Sequence, residues 1–241
     1  MVAQSYMDYK ETGIGPGKLK TFAAPVARPL PVIVLADVSG SMSVNGKIDA
    51  LNLALREMIT GFAQESRLRA QIQLSLICFG GREAREHLPL TPANEIGSVE
   101  PLLASGATPM GAAFDRAHNL LEDRDRIPSR AYRPVLVLIS DGAATDDWES
   151  ALVRLCGGER AQKATRLAMA IGADADQEVL VKFMNDPEVP VFAAHEARDI
   201  LRFFRAVTMS VVARSTSTSP DMPTAFELSD IPDDDLDLGI F

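Results

Sequence analysis

Three short polar clusters stand where apolar runs stop, and each carries oxygen-bearing side chains. The first is Asp37-Val38-Ser39-Gly40-Ser41-Met42, directly after Val32-Ile33-Val34-Leu35-Ala36. One carboxylate and two hydroxyls at two-residue intervals in a turn can point toward one centre, and Gly40 lets the loop curl. Such donors are hard oxygens, suited to Mg²⁺, Mn²⁺ or Ca²⁺ rather than zinc. The second cluster is Thr108 in Gly106-Ala107-Thr108-Pro109. It reads either as one more hydroxyl donor or as the N-cap of a helix that Pro109 opens. The third is Asp141-Gly142, following Pro134-Val135-Leu136-Val137-Leu138-Ile139-Ser140. Alone, Asp141 reads as readily as a cap or turn residue as a ligand.

These clusters need elements that bring them to one place. The run 32–36 is continuously apolar and β-rich, as in a strand buried on both faces. From Ile48 to Phe62, apolar residues recur at three- and four-residue spacing and predict an amphipathic helix, capped by Ser43 or Asn45. Residues 71–79 predict a second strand nearer an edge, and 86–90 a short third one. A helix follows Pro109, with Met110, Phe114, Ala117 and Leu121 on one side. Residues 134–139 make the clearest strand. Helices over 148–155, 177–184 and 197–212 then alternate with strands over 167–171 and 189–193. That alternation predicts a Rossmann-like α/β fold, an open and mostly parallel sheet with helices on both faces. In such a sheet ligands bind beyond the carboxyl ends of the strands, where all three clusters would lie.

Composition narrows the functions. Of 241 residues, 46% are hydrophobic and 24% charged, as in a folded globular chain. The formal net charge of −9 opposes nonspecific nucleic-acid binding and attachment to an anionic membrane. Seven acids (Asp221, Glu227, Asp230, Asp233, Asp234, Asp235 and Asp237) fall after Ser215 with no Lys or Arg among them, and without them the net charge is −2. The domain reading is an N-terminal arm over 1–29, a folded domain over 30–213 and a flexible acidic tail over 214–241, with Ser215 to Pro220 as a soft linker. The tail reads as a solubilising segment or a docking peptide whose aspartates reach a metal in the same or a neighbouring molecule. Two cysteines, Cys78 and Cys156, and three scattered histidines, His87, His118 and His195, suggest neither a disulfide framework nor structural zinc. The absence of a signal-peptide pattern and of a long apolar run predicts a cytoplasmic protein without membrane insertion.

Competing motifs fail on chemistry. Gly13-Ile14-Gly15-Pro16-Gly17-Lys18 has neither the spacing of a phosphate loop nor a Ser or Thr after the lysine. An aspartyl-nucleophile phosphatase would want a second acid where Ser39 stands.

Taken together, Asp37-x-Ser39-Gly40-Ser41, Thr108 in its Gly-Ala-Thr-Pro turn and Asp141-Gly142 after a Leu-Ile-Ser strand resemble the metal-ion-dependent adhesion site of von Willebrand factor type A domains. The resemblance covers roughly residues 30–212. It implies that Asp37, Ser39, Ser41, Thr108 and Asp141 form a metal site, with Mg²⁺ first and Mn²⁺ or Ca²⁺ as options, and no catalytic residues. The ion would take an Asp or Glu of a protein partner, so the expected role is interaction, not turnover. Arg28-Pro29-Leu30-Pro31 and Gly46-Lys47-Ile48-Asp49-Ala50-Leu51-Asn52 are similar to the bacterial tellurium-resistance TerY-like group. That likeness implies a stress-response or signalling system with kinase, PP2C-type phosphatase or other Ter-type partners. Service to an AAA+ ATPase or chelatase complex is the alternative, and a metal-dependent hydrolase comes third.

Overall fold

The computed structural model describes residues 27–65, 70–184 and 186–222. Of the arm expected over 1–29 and the tail expected over 214–241, residues 1–26 and 223–241 lie outside them; the first strand already begins at Arg28. Six strands form one sheet: β1 (Arg28–Asp37), β2 (Ala70–Gly80), β3 (Glu83–Pro92), β4 (Val135–Ser140), β5 (Thr165–Ile171) and β6 (Phe192–Ala194), in the order β3-β2-β1-β4-β5-β6. The helices are α1 (Lys47–Ala63), α2 (Met110–Glu122), α3 (Trp148–Gly157), α4 (Glu159–Lys163), α5 (Gln177–Phe183) and α6 (Ala197–Thr216).

β1 is central, and its apolar run shows why. Val32, Val34 and Ala36 join a core with residues of α1 and α6, whereas Ile33 and Leu35 join a second core with residues of α2, α3 and α5. A strand covered on both faces alternates between two cores, so every position is apolar. All pairings are parallel except β2 with β3, which is antiparallel. β2 therefore lies between β1 and the edge strand β3, nearer an edge than β1, as expected of residues 71–79. Gln71 and Gln73 are half-buried near the start of β2, whereas Ser75 is fully buried and its hydroxyl donates to the Leu88 carbonyl of β3 at 3.1 Å.

After β1 the chain runs through α1 to β2 on one side of β1. After β3 it crosses through α2 on the opposite face to β4 on the other side. The order of strands thus reverses between β1 and β4, and the carboxyl ends of these two strands, at Asp37 and Ser140, leave a crevice between loops that depart in different directions.

The other end of the sheet is closed by the last helix. α6 continues to Thr216, past the predicted end at Val212. Arg214 is 2% exposed; its Nε donates to the Pro220 carbonyl at 3.0 Å and its Nη2 to the Arg133 carbonyl at 2.9 Å. The Asp221 carboxylate accepts the Arg133 N–H at 2.8 Å, just before β4. The Ser-Thr-Pro stretch that composition marks as a soft linker is thus helical through Thr216 and folded back through Asp221. A buried guanidinium, not local propensity, holds it there.

Candidate metal centre

Asp37 ends β1 fully buried. Its Oδ1 accepts the Ser39 N–H at 2.8 Å, which turns the chain sharply after the strand. Its Oδ2 accepts the Ser140 hydroxyl at 2.6 Å, tying the end of β1 to the end of β4. The turn continues as a short 3₁₀ segment, Gly40–Ser43, pinned by the buried Met42. Within it, the Ser39 and Ser41 hydroxyl oxygens lie 2.9 Å apart, and Ser41 donates to Asp141 Oδ1 at 2.6 Å. A hydroxyl has one proton, so Ser41 spends its own on Asp141 and Ser39 donates to Ser41. Asp141 is 1% exposed, and its Oδ2 accepts Lys47 Nζ from the start of α1 at 2.7 Å.

The second loop is stitched to the first. Gly40 N–H donates to the Gly106 carbonyl at 2.9 Å, Ser105 N–H to the Val38 carbonyl at 2.8 Å, and Gly81 N–H to the Ser105 carbonyl at 2.7 Å. Gly106 has φ +69°, and a Cβ there would fall 2.5 Å from Gly81 Cα, so only glycine fits this crossing. Thr108 is 6% exposed. A Cβ built on Gly142 would lie 4.0 Å from Thr108 Oγ1 and 3.9 Å from Ser41 Oγ, which places both hydroxyls around the same glycine of the third loop.

Thr108 does not cap the following helix. α2 begins at Met110, and its amides at Gly111 and Ala112 donate to Asp146 Oδ1 and Oδ2 at 2.8 and 2.9 Å. The cap comes from the third loop, about 35 residues away, and bridges it to α2. Thr145 adds a second bridge by accepting the Thr108 N–H at 3.1 Å. The cap of α1 likewise differs from expectation. Gly46, with φ +69°, occupies that position, and the Ser43 hydroxyl donates instead to the Gly40 carbonyl at 2.7 Å.

The site therefore joins Asp37, Ser39, Ser41 and Asp141 in one hydrogen-bond chain, with Thr108 beside Gly142. Three participants escape sequence reasoning: Ser140, Lys47 and Asp146. Only Ser140 leaves a trace, as the polar end of an otherwise apolar strand. Burial pushes the Asp37 carboxyl above its ordinary range, and the nearby negative Asp141 adds to this, whereas the Ser140 and Ser39 hydrogen bonds oppose it. A cation close by would favour the ionised form. The donor chemistry fits a hard divalent ion: two carboxylates and three hydroxyls, with no imidazole or thiol. Cys78, close by on β2, is buried and its thiol is pushed up to about 12, so it stays a neutral apolar group. Among the described residues no group of three or more His, Cys, Asp or Glu side chains could hold a metal. A site here relies on hydroxyls for most of its oxygens.

A cleft of about 430 Å³ adjoins these loops, lined by Val38, Arg82, Arg85, Leu103 and Ser105 among others. Leu103 is 75% exposed, and Val44, after the first loop, is 51% exposed.

Residues 32–143, just under half of the chain, match the family model of the von Willebrand factor type A domain. No curated protein matches the sequence. Among solved structures, a von Willebrand factor type A protein from Catenulispora acidiphila is 22% identical, with TM-score 0.60, over 76% of this chain and 43% of that one. Proximal thread matrix protein 1 from the mussel byssus, solved with a zinc-occupied metal-ion-dependent adhesion site, is 15% identical, with TM-score 0.58, over 78% of this chain and 48% of that one. The pilus adhesin SpaC from Lactobacillus rhamnosus GG is 13% identical, with TM-score 0.62, over 77% of this chain and 31% of that one. The chain spans less than half the length of these neighbours. Their likeness shows a von Willebrand type A fold, a mostly parallel six-stranded sheet with helices on both faces.

Proposed function

We propose that this von Willebrand type A fold is a metal-dependent protein-interaction module whose Asp37, Ser39, Ser41, Thr108 and Asp141 hold one divalent cation, Mg²⁺ first, for a carboxylate of a protein partner. The observation that carries this reading is the meeting of two buried carboxylates and three hydroxyls at the reversal of strand order. When bound, a divalent ion supplies an electrophilic position that an outside carboxylate oxygen can take. Ser39, Ser41 and Thr108 lend neutral oxygens, so the chain neutralises the ion only in part and leaves a place for the partner's charge. Asp37, held by Ser140 and the Ser39 amide, keeps the first loop in register and contributes negative charge directly or through a water. Asp141 supplies the second charge. Exposed Val44 and Leu103, and the Arg82–Arg85 cleft, offer the surrounding protein surface.

Binding fits the site better than turnover. The described contacts of the three histidines lie elsewhere: His87 meets the Glu100 carbonyl, His118 faces Gly158, and the His195 N–H caps onto Asp199. Among the described residues, the only carboxylates in the hydrogen-bond chain are the two candidate ligands, Asp37 and Asp141. The resemblance to TerY-like proteins supports a cytoplasmic place in a bacterial stress or signalling system, with kinase, PP2C-type phosphatase or other Ter-type partners. Among the described residues no helix is long and apolar enough to cross a membrane.

The test is calorimetry of chelator-stripped protein with Mg²⁺, Mn²⁺ and Ca²⁺. One saturable site is expected, weakened at least about 100-fold in Asp37→Ala. Equal binding by wild type and variant overturns the assignment. Partner capture from lysate, run with the preferred ion and again with chelator, then tests the second half: partners retained equally in both would sink the metal bridge.

A further inference from the structure

Lys47 is the first residue of α1, where the helix dipole disfavours a cation. Its Nζ nevertheless sits 2.7 Å from Asp141 Oδ2, across 94 residues of sequence, with the lysine side chain 17% exposed and the aspartate side chain fully buried. Among the described residues it is the one cation paired with either site carboxylate. The ammonium also lies near Gly172, where a Cβ would stand 3.9 Å from Nζ. Asp141 thus has both oxygens taken by donors that can leave, a hydroxyl proton that rotates and an ammonium on a four-carbon arm.

We propose that Lys47 is a built-in counter-cation that competes with the divalent ion for Asp141 Oδ2, so that the ion and the Lys47–Asp141 pair exclude one another. This rests on reading the site as a metal centre. A monovalent and a divalent cation within hydrogen-bond distance of the same oxygen repel strongly in a buried setting, so the ammonium withdraws when the ion binds. Without the ion, Lys47 spares the fold a buried, unpaired carboxylate. The consequence is a site tuned to weaker affinity, with an ammonium released at the rim as the ion arrives.

The experiment uses the full chain, stripped with chelator, and Mn²⁺ as the probe. Lys47→Met is expected to bind Mn²⁺ about tenfold more tightly than wild type. Its metal-free melting temperature falls, and saturating Mn²⁺ raises it by more than in wild type. Lys47→Gln, which keeps a neutral donor for Asp141, shifts both readouts the same way and guards against misfolding of the methionine variant. Arg56→Gln removes one exposed positive charge from the same helix, away from the proposed binding surface, and controls for the general field; its affinity stays within about twofold of wild type. Equal Mn²⁺ affinity in wild type and both Lys47 variants overturns the lysine inference and leaves the metal centre standing. A tightening in Arg56→Gln as large as in Lys47→Met overturns it as well. Failure of all the proteins to bind Mn²⁺ overturns the metal-centre reading and the lysine inference together, whereas binding only by the Lys47 variants supports the lysine as the competitor.

Discussion

The two ends of the sheet each bury charge, and they do so with opposite kinds of partner. At the amino end, Arg214 is held by the carbonyls of Pro220 and Arg133, and Asp221 by the Arg133 amide. These are backbone groups that cannot move without moving the chain. At the carboxyl end, Asp37 and Asp141 are held by Ser39, Ser41, Ser140 and Lys47, mostly through side chains that turn about single bonds. Burial demands hydrogen bonds in both places. Backbone partners make a lock. Side-chain partners make a set of donors that an incoming cation can replace. The difference locates stability at one end and exchange at the other, on one shared strand.

The largest effect expected from this contrast comes from Arg214→Met. It takes the guanidinium donors from the Pro220 and Arg133 carbonyls and frees the return through Asp221, and should cost about 3 kcal/mol of unfolding free energy. Metal affinity should stay within about twofold, because the site lies at the opposite end of β1. Urea denaturation and Mn²⁺ calorimetry on the same sample check both halves. A large loss of metal affinity in a folded variant would break the division between the ends.

Ser140→Ala probes the exchange end with a smaller expected effect. Removing this hydroxyl takes one donor from Asp37 Oδ2 and loosens the tie between β1 and β4, at a cost of about 1 kcal/mol of stability. With the donor gone, burial is less opposed and the Asp37 carboxyl rises further. Mn²⁺ affinity near neutral pH should fall about fivefold, through lost orientation of the first loop. An unchanged affinity would show that Ser140 supports only the strand ends.

Much of this arrangement was legible in the sequence, and the misses share one cause. The apolar runs at 32–36 and 134–139 announced doubly covered strands, because alternate residues must face two cores. Asp37, Ser39, Ser41, Thr108 and Asp141 stood out because their loops interrupt those runs with oxygen donors. What could not be read was anything set by a partner far along the chain. Asp146 caps α2 from a different loop, so Thr108 looked like the cap. Lys47 gave no sign of a role at the site, because its acid lies 94 residues away. Ser215 to Pro220 has linker composition, yet Arg214 fastens it to the segment before β4. The alternation at Gln71 and Gln73 did place β2 nearer an edge, but that the strand over 83–92 covers it as the edge itself is set by a pairing that begins beyond the turn at Gly81.

The smallest effect tests what kind of lock closes the amino end. Asp221 also faces Arg28, but at 3.9 Å and with both side chains more than 40% exposed. An exposed pair at that distance contributes little, whereas the Arg133 N–H held by Asp221 Oδ1 at 2.8 Å is a local hydrogen bond that an amide oxygen can also accept. Asp221→Asn should therefore change stability by less than about 0.5 kcal/mol, while Asp221→Ala, which removes the acceptor, should cost about 1 kcal/mol. Denaturation at low and high salt separates the two contributions. If Asn destabilises as much as Ala and the loss disappears at high salt, the amino end is held by charge, and its contrast with the exchangeable carboxyl end narrows. If Asn is neutral at both salt concentrations, the lock is one of hydrogen bonds to backbone, which a passing cation has no means to displace.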